Sequence, residues 1–520
     1  VSEALQRHLE NVQEHTLSIV KEEKQSYTPS DYDTGISIHL LDRLQNQAIE
    51  NDNQIETIYP ANSLQQGLIY HALSHPEDDA YCVQLLFDYK QPLEIGRYVQ
   101  AWQYAIDTYP SLRTAFNWEE GIIQIIHQKG KLSYSFHDLT QRSYKSQEQF
   151  VERIQKQDRG QKFDLTSPTP LRLHIIKRTD DHYTILKSEH HIISDGWSGP
   201  IVLEKVHECY RLLCQGHPVA IDPDRVYLKV QDYIQRHQIE SKEYWQDQLA
   251  GVRANDLNPM LNIRKNLDEV KKISESYDKT LTIQGELYRS VKQISQNYGI
   301  TSNTLVQFVW HKLIQVYTQD EQTIVGTAVS GRDIPVEGVE GSVGLYINTV
   351  PLVVDWNNEN TVKEQLQTIQ AKTAESKQYS HANLAELQEA GQRLFHSLLI
   401  FQNFPVPDEK NNDEDYQLIS EFREYIEKLD YPLAVTAHEQ NNQLSISLKT
   451  SQDLVTSEQA QEYLDKLYRL LEQISKDLDI PHHSLTLLSS KEYQKIVYDW
   501  NRTDKDYPND KTLVQLFQEQ

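Results

Sequence analysis

The sequence predicts a mixed α/β protein with layered strands and helices. Short apolar segments of strand character recur along the chain, and segments with apolar residues at helical spacing lie between them. Hydrophobic residues make up 38% of the 520 residues, which is enough to bury a sizeable core. Since this length exceeds that of one ordinary core, we expect two lobes, flanked by connecting segments.

Residues 1–50 are predicted to form an N-terminal linker. A charged helical stretch leads to "TPSD", which is a turn and helix-cap signal. An amphipathic segment, "ISIHLLDRLQNQ", follows it.

Residues 51–225 are predicted to form the N-terminal lobe. The segments "YCVQLLFDY" and "LRLHIIKR" have the composition of strands. The segments "YVQAWQYAIDTYP" and "GPIVLEKVHECYRLLCQ" have apolar residues at a period of 3.6, as helices do.

Residues 226–485 are predicted to form the C-terminal lobe, since a polar passage at about 222–262 divides two stretches of similar composition. Its strands include "QTIVGTAVSGR" and "YINTVPLVVDW", and its helices include "LVQFVWHKLIQVY" and "SEQAQEYLDKLYRLLEQIS". Residues 486–520 are polar and turn-rich, and we expect a second linker there.

Composition excludes several classes of protein. A formal net charge of -25 argues against a nucleic-acid partner. No apolar run is long enough for a membrane span and no signal peptide is recognisable, so we expect a cytoplasmic protein without a membrane partner. The three cysteines are too scattered for a disulfide framework or a zinc site. Because the chain starts with valine and its only methionine is Met260, we expect a piece of a longer polypeptide.

The stretch "SEHHIISDGWSGP" holds the strongest candidate for chemistry. A bare histidine pair is a weak signal, because "PHHS" near the C-terminus contains another one. Here, however, Asp195 and Gly196 follow His190 and His191 at offsets that chance rarely produces. These four residues are the candidate catalytic group.

Local structure suggests different roles for the two histidines. We predict that "HYTILKSEHHIIS" is a strand, so that His190 and His191 point to opposite faces. His191 would lie at the strand's end beside a helix that begins near Trp197, and its imidazole could position or deprotonate an amine or hydroxyl. Two alternatives remain open: a structural histidine pair, and a metal site formed with Asp195, which diverging side chains disfavour.

The motif resembles one that defines a known family. "HHIISDG" matches the His-His-x-x-x-Asp-Gly motif of condensation domains of nonribosomal peptide synthetases, which are related in fold to chloramphenicol acetyltransferase. Further segments resemble other motifs of the family in the expected order, and the resemblance covers about 55–488. These segments are "SLQQGLIYHAL" (63–73), "SLRTAF" (111–116), "EYWQDQL" (243–249) and "SGRDIPVEGVEGSVGLYINTVPL" (330–352).

The resemblance implies a fold and an activity. It implies two acetyltransferase-like lobes in a V-shaped pseudo-dimer, with the active site in a tunnel between them. An upstream carrier protein would present a donor thioester and a downstream carrier protein an acceptor amino acid, each on a 4'-phosphopantetheine arm. The domain would join the two by an amide bond without a covalently bound cofactor of its own. An adenylation domain would be its neighbour, since "WNRTDKDYPNDKTLVQLFQEQ" resembles the linker into one.

The resemblance also suggests supporting residues. It implies that Asp195 forms a structural salt bridge, for which Arg332 of "SGR" is the candidate partner, with a surface arginine as the alternative. Arg113 lies in the second motif as a supporting residue. Asn403 matches a position lining the tunnel, although a core-capping asparagine is equally open. Gly196 would leave room for the approach to the histidine.

The subtype is predicted from three segments and the N-terminus. "YSHANLAELQ", "SLLIFQNFP" and "LDYPLAVTA" resemble condensation domains that take a D-configured donor, and "SYTPSDYD" resembles the tail of a preceding epimerization domain. The rival interpretations are an epimerization domain, a catalytically silent domain that docks carrier proteins, and an acetyltransferase that uses CoA.

Overall fold

The computed structural model describes residues 27–520 apart from 33, 76–78, 80, 263, 265, 268–275, 388–391, 403–416, 428–430 and 507. It confirms the mixed α/β class. The helices of this part are α1 (Ile38–Glu50), α2 (Ser63–Ser74), α3 (Ile95–Thr108), α4 (Tyr144–Arg159), α5 (Ser198–Cys214), α6 (Val226–Gln248), α7 (Gly285–Tyr298), α8 (Ser302–Thr318), α9 (Val362–Ser376), α10 (Leu384–Leu387), α11 (Ser457–Lys476), α12 (Ser490–Tyr493) and α13 (Leu513–Glu519).

The first large sheet carries the histidine motif. The strands are β2 (Cys82–Tyr89), β5 (Ser133–Asp138), β6 (Leu171–Thr179), β7 (His182–His190) and β12 (Ser420–Ile426). They run in the order β12-β2-β7-β6-β5, and only β5 and β6 are parallel. Apolar side chains of α3 and α5 cover one face, while α4 covers the other.

The second large sheet has six strands, which are β8 (Ser276–Ile283), β9 (Gln322–Val329), β10 (Asn348–Asp355), β11 (Ser397–Gln402), β13 (Leu433–Gln440) and β14 (Gln443–Ser451). Their order is β10-β9-β11-β13-β14-β8. Strand β11 pairs in parallel with β9 and β13, and the other pairs are antiparallel. Helices α7, α8, α9 and α11 contribute to its apolar core.

A small antiparallel sheet lies beside α1. Its strands, in the order β1-β4-β3, are β1 (Ile55–Pro60), β4 (Ile123–His127) and β3 (Thr114–Asn117). Leu41 of α1 is fully buried against this sheet, so part of the predicted linker 1–50 contributes to a core. The lobe and linker boundaries themselves stay predictions.

Strand β12 crosses between the two halves of the chain. It belongs by sequence to the predicted C-terminal lobe, yet it pairs with β2 at the edge of the first sheet. Arg423 anchors it there, because its Nη2 atom lies 2.8 Å from Oε2 of Glu148 on α4. We call β12 the crossover strand.

No helix in the described ranges is both long enough and apolar enough to span a bilayer. Cys82, Cys209 and Cys214 are unpaired thiols.

Candidate active site

His190 ends strand β7 in a buried, structural environment. Its backbone N–H donates to the carbonyl of Pro170 at 3.0 Å, and its Nδ1 atom accepts from the Ile192 N–H at 3.2 Å. Burial and the nearby charge of His191 lower the pKa of His190 to about 3. His190 is therefore a neutral ring that caps the end of strand β7.

His191 lies outside the strand. The prediction of a strand through His191 is wrong, because the chain turns at His190 into a 3-10 helix, His191–Ile193, that the bond to Ile192 stabilises. The His191 N–H donates to the carbonyl of Tyr81 at 2.9 Å. The turn thus places the His191 ring in surroundings different from those of His190.

Glu427, which directly follows the crossover strand, binds His191. Its Oε1 atom lies 3.2 Å from His191 Nε2, and the Tyr425 hydroxyl donates to its Oε2 atom at 3.0 Å. Burial opposes a charged imidazole, but the hydrogen bond and charge of Glu427 outweigh burial and raise the pKa of His191 to about 9. Burial likewise opposes the carboxylate, while His191 holds the pKa of Glu427 below its ordinary value. At neutral pH the two form a buried ion pair.

Asp195 forms the ion pair with Arg332 that the sequence predicted. Arg332 Nη1 donates to Asp195 Oδ2 at 2.7 Å and Nη2 donates to Oδ1 at 3.2 Å. Both side chains are buried, so the surface-arginine alternative is wrong. The guanidinium also lies 4.4 Å from the ring centroid of Tyr346.

The Asp195 carboxylate organises two further backbone segments. Ser198 at the start of α5 donates to Oδ1 through its N–H at 2.9 Å and its hydroxyl at 2.7 Å. The N–H groups of Tyr346 and Ile347 donate to Oδ2 at 3.2 and 3.3 Å. Asp195 therefore fixes the turn after His191 against a segment from the other half of the chain.

The remaining predicted residues are placed differently. Gly196 is half-buried in the turn between Asp195 and α5. Arg113 binds the Glu56 carboxylate and the carbonyl of His127, and so links β1 to the end of β4. Asn403 lies outside the described residues.

Sequence analysis missed Ser198 and Glu427. Ser198 had a partial signal, since an aspartate just before a helix often accepts from a backbone N–H of the first turn, but the bond from the Ser198 hydroxyl had none. Glu427 had none, because its contact with His191 depends on the pairing of β12 with β2. For the metal alternative, no group of three or more histidine, cysteine, aspartate or glutamate side chains is placed to hold an ion within the described part of the chain.

Chemically, the site offers a buried imidazole whose charge a carboxylate stabilises. The Nδ1 atom of His191 is buried and has no hydrogen-bond partner on another residue within the part of the chain that the structure describes. A protonated imidazole carries a hydrogen on each ring nitrogen, and a hydrogen bond to the backbone of His191 itself also raises the pKa of the ring. The site can therefore stabilise negative charge that develops on a carbonyl oxygen.

Comparison with known proteins gives consistent matches. The family profile described as the condensation domain matches residues 55–497. An N-(5-amino-5-carboxypentanoyl)-L-cysteinyl-D-valine synthase from Amycolatopsis lactamdurans is 34% identical over 474 residues, which cover 88% of this chain and 13% of the synthase. The chain thus spans a small part of the length of such relatives.

Solved structures share the fold. The starter condensation domain of the rhizomide synthetase superposes with a TM-score of 0.68 at 16% identity, covering 84% of this chain and all of that domain. A four-domain nonribosomal peptide synthetase bound to AMP and glycine also gives a TM-score of 0.68 at 19% identity, covering 84% of this chain and 34% of the synthetase. These matches bear out the two acetyltransferase-like lobes.

Proposed function

The chain belongs to the condensation-domain family of nonribosomal peptide synthetases, whose reaction is amide-bond formation. We propose that this domain transfers a donor aminoacyl or peptidyl group from an upstream carrier protein to the α-amine of an amino acid on a downstream carrier protein. The reaction would take place in a tunnel between the two lobes. The observation that carries the proposal is the buried His191, held between Glu427 and the turn that Asp195 and Arg332 fix.

The reaction balances without a further reactant. The acceptor nitrogen attacks the donor carbonyl carbon, the C–N bond forms, the C–S bond breaks, and a proton leaves the nitrogen while the released thiolate takes one up. Holding the two arms in line supplies much of the rate, because orientation alone can be worth about 7 to 11 kcal/mol. His191, charged at neutral pH, stabilises the oxyanion of the tetrahedral intermediate.

The charge on His191 separates this proposal from its rivals. An epimerization domain needs a base to remove a proton from carbon, and an imidazole that Glu427 keeps protonated is a poor base. A silent docking domain has no need for a buried charged histidine, whose desolvation costs free energy. Both arguments favour condensation.

The deciding experiment loads a synthetic donor and a synthetic acceptor on separate carrier proteins and examines the acceptor carrier by mass spectrometry. Dipeptidyl thioester on the acceptor carrier supports condensation. A donor inverted at its α-carbon, without dipeptide, identifies an epimerization domain. Unchanged substrates on carriers that nevertheless bind the domain identify a docking domain.

The donor is proposed to be D-configured at its reacting end. The support is the resemblance of "YSHANLAELQ" and "LDYPLAVTA" to D-donor domains, and of "SYTPSDYD" to the end of an epimerization domain. Inversion exchanges a side chain with a hydrogen beside the reacting carbonyl, and a misplacement of about 1 Å can cost about a hundredfold in rate. Competing L- and D-donors on one carrier, followed by chiral analysis, test this. Equal incorporation or an L preference would overturn the subtype and leave condensation intact.

The proposed partners follow from the same chemistry. Both substrates would arrive on 4'-phosphopantetheine arms of carrier proteins, and an adenylation domain would follow the chain. The multidomain synthetase that shares this fold supports such an arrangement. The unpaired cysteines fit a reducing compartment, so the cytoplasm is the proposed location.

A further inference from the structure

We propose that Glu427 is a positioning residue for His191: it orients the imidazole and keeps it charged, so that His191 acts on the reaction as a cation instead of removing a proton. The proposal rests on the proposed condensation activity for its consequence in catalysis. The contact itself, between a residue at the end of the crossover strand and the turn after β7, is independent of that activity.

A β-bulge aims Glu427 at the site. In the pairing of the crossover strand with β2, Phe422 lies opposite Phe87 and Glu424 lies opposite Leu86, so Arg423 is an extra residue. Beyond a bulge of one residue the alternation of side chains reverses. Tyr425, opposite Leu85, therefore lies on the same face as Phe422, and alternation places Glu427 on that face too.

Both carboxylate oxygens of Glu427 are engaged. Oε1 contacts His191 Nε2 at 3.2 Å, and Oε2 accepts from Tyr425 at 3.0 Å. The His191 and Glu427 side chains are 9% and 18% exposed, so water competes little for either group. The two-point attachment of the carboxylate restrains the orientation of the imidazole ring.

The neighbouring charged groups do not compete with Glu427 for His191. Asp195 is bound to Arg332, and His190 is held neutral by burial. Glu189 on β7 is paired with Lys187 at 2.7 Å. Lys449 on β14 reinforces the charge of Glu427. Glu427 is thus the carboxylate that binds His191 directly.

The charged form has a consequence for the reaction. With Nε2–H directed at Glu427, the Nδ1–H group is buried and has no partner on another described residue, while a hydrogen bond to its own backbone adds to the stability of the charged ring. A protonated His191 cannot accept the proton of the amine until it has lost the proton that it shares with Glu427. Its contribution at neutral pH is therefore its positive charge, which stabilises the developing oxyanion, while the acceptor must reach the site as a free amine.

The test uses three variants of the whole chain. Glu427→Gln removes the charge with little change in shape, and Glu427→Asp keeps the charge on a shorter side chain. Glu424→Gln is the matched control, because Glu424 lies on the same strand and is exposed. Its carboxylate accepts a hydrogen bond from Gln155 at 3.0 Å instead of one from His191. The ring of His191 is followed by NMR after histidine labelling, with a His191→Asn spectrum for assignment.

In the wild type we expect His191 to be protonated near pH 7.5 and to titrate near 9. The midpoint should fall by about two pH units or more in Glu427→Gln, remain raised in Glu427→Asp, and stay unchanged in Glu424→Gln. A neutral His191 at pH 7.5 in the wild type would overturn the proposal, even if Glu427→Gln failed to fold. So would the same midpoint in a folded Glu427→Gln protein.

The second readout is the pH profile of dipeptide formation. If the charged imidazole is the active form, the wild-type rate constant for the loaded complex should fall as His191 deprotonates, and the fall should begin at lower pH in Glu427→Gln. A rate that instead rises in a step that moves to lower pH in Glu427→Gln would show that the neutral base is the active form and would refute the charged role, because the acceptor amine deprotonates at the same pH in both proteins. Absence of dipeptide at every pH, with the titration as expected, would refute condensation while leaving the pairing in place.

Discussion

Arg332 binds Asp195 with two hydrogen bonds, and the two side chains are 3% and 0% exposed. The residues stand 137 positions apart, in different halves of the chain. Because the carboxylate also accepts from Ser198 and from two backbone N–H groups, its lone pairs are fully used. The pair thus secures the turn that carries His191.

Removal of one member of this pair should strongly destabilise the protein. Asp195→Asn or Arg332→Met leaves a buried charge without its partner, which costs on the order of 3 to 5 kcal/mol. The double variant should recover part of the loss, since neither charge remains. Urea unfolding of the four proteins measures the coupling. Losses that simply add would mean that the two residues do not stabilise each other.

Substitution of the two histidines should separate catalysis from stability. His191→Ala should abolish or strongly lower dipeptide formation and keep the fold. His190→Ala should mainly destabilise, by about 1 to 3 kcal/mol, because the Ile192 N–H loses its acceptor. Dipeptide yield and urea melts are compared, with His483→Ala at an exposed site as the control. Wild-type activity in His191→Ala would remove its catalytic assignment.

The His191–Glu427 pair should make stability depend on alkaline pH. The pKa of His191 is about 9 in the folded protein, against about 6.5 when unfolded, so the folded state holds this proton more tightly. The added stability is complete below about pH 6.5 and is lost as the pH rises to about 9. The difference in pKa corresponds to about 3 kcal/mol.

The measurement must compare variants, because Lys312 gives the opposite trend. Burial lowers the pKa of Lys312 to about 8, so its contribution raises stability over part of the same range. The free energy of unfolding in urea, wild type minus Glu427→Gln, isolates the pair. This difference should shrink between about pH 6 and about pH 9.5, whereas a constant difference would show that no proton is linked to the pair.

Gly331 should be intolerant of any side chain. Its φ is +65°, and a Cβ atom there would lie 1.8 Å from the Tyr346 carbonyl oxygen. Gly285 is the matched control, with φ +66° and no atom within 4 Å of such a Cβ. Gly285→Ala should cost only the backbone strain of about 1 to 2 kcal/mol. Gly331→Ala should cost more in urea melts, and equal losses would contradict the steric reason.

Periodic elements were predictable from the sequence. The strand predicted in "LRLHIIKR" is β6, and the helix in "LVQFVWHKLIQVY" is part of α8, because each pattern reflects which faces are buried. The end of β7 was not. "EHHIIS" is apolar enough to continue a strand, and the turn at His191 depends on a side-chain bond to the Ile192 backbone.

The position of the crossover strand could not be predicted from the local sequence pattern. "SEFREYI" is polar and mostly exposed, and its partner β2 lies more than 300 residues earlier in the chain. Neither the pairing with β2 nor the bulge at Arg423 produces a periodic pattern in the sequence. The contact between Glu427 and His191 therefore could not be predicted. By contrast, Asp195 and Arg332 could be paired because each lies within a recognisable motif.

The bonds of Asp195 also have a mechanical consequence. They join α5 in one half of the chain to Arg332, Tyr346 and Ile347 in the other, a few residues from His191. If the two halves of the chain rotate against each other, the axis of rotation must pass near this point, since a larger shift there would break buried bonds. Displacement then grows with distance from this point, so the outer parts of the two halves can move while the surroundings of His191 keep their dimensions.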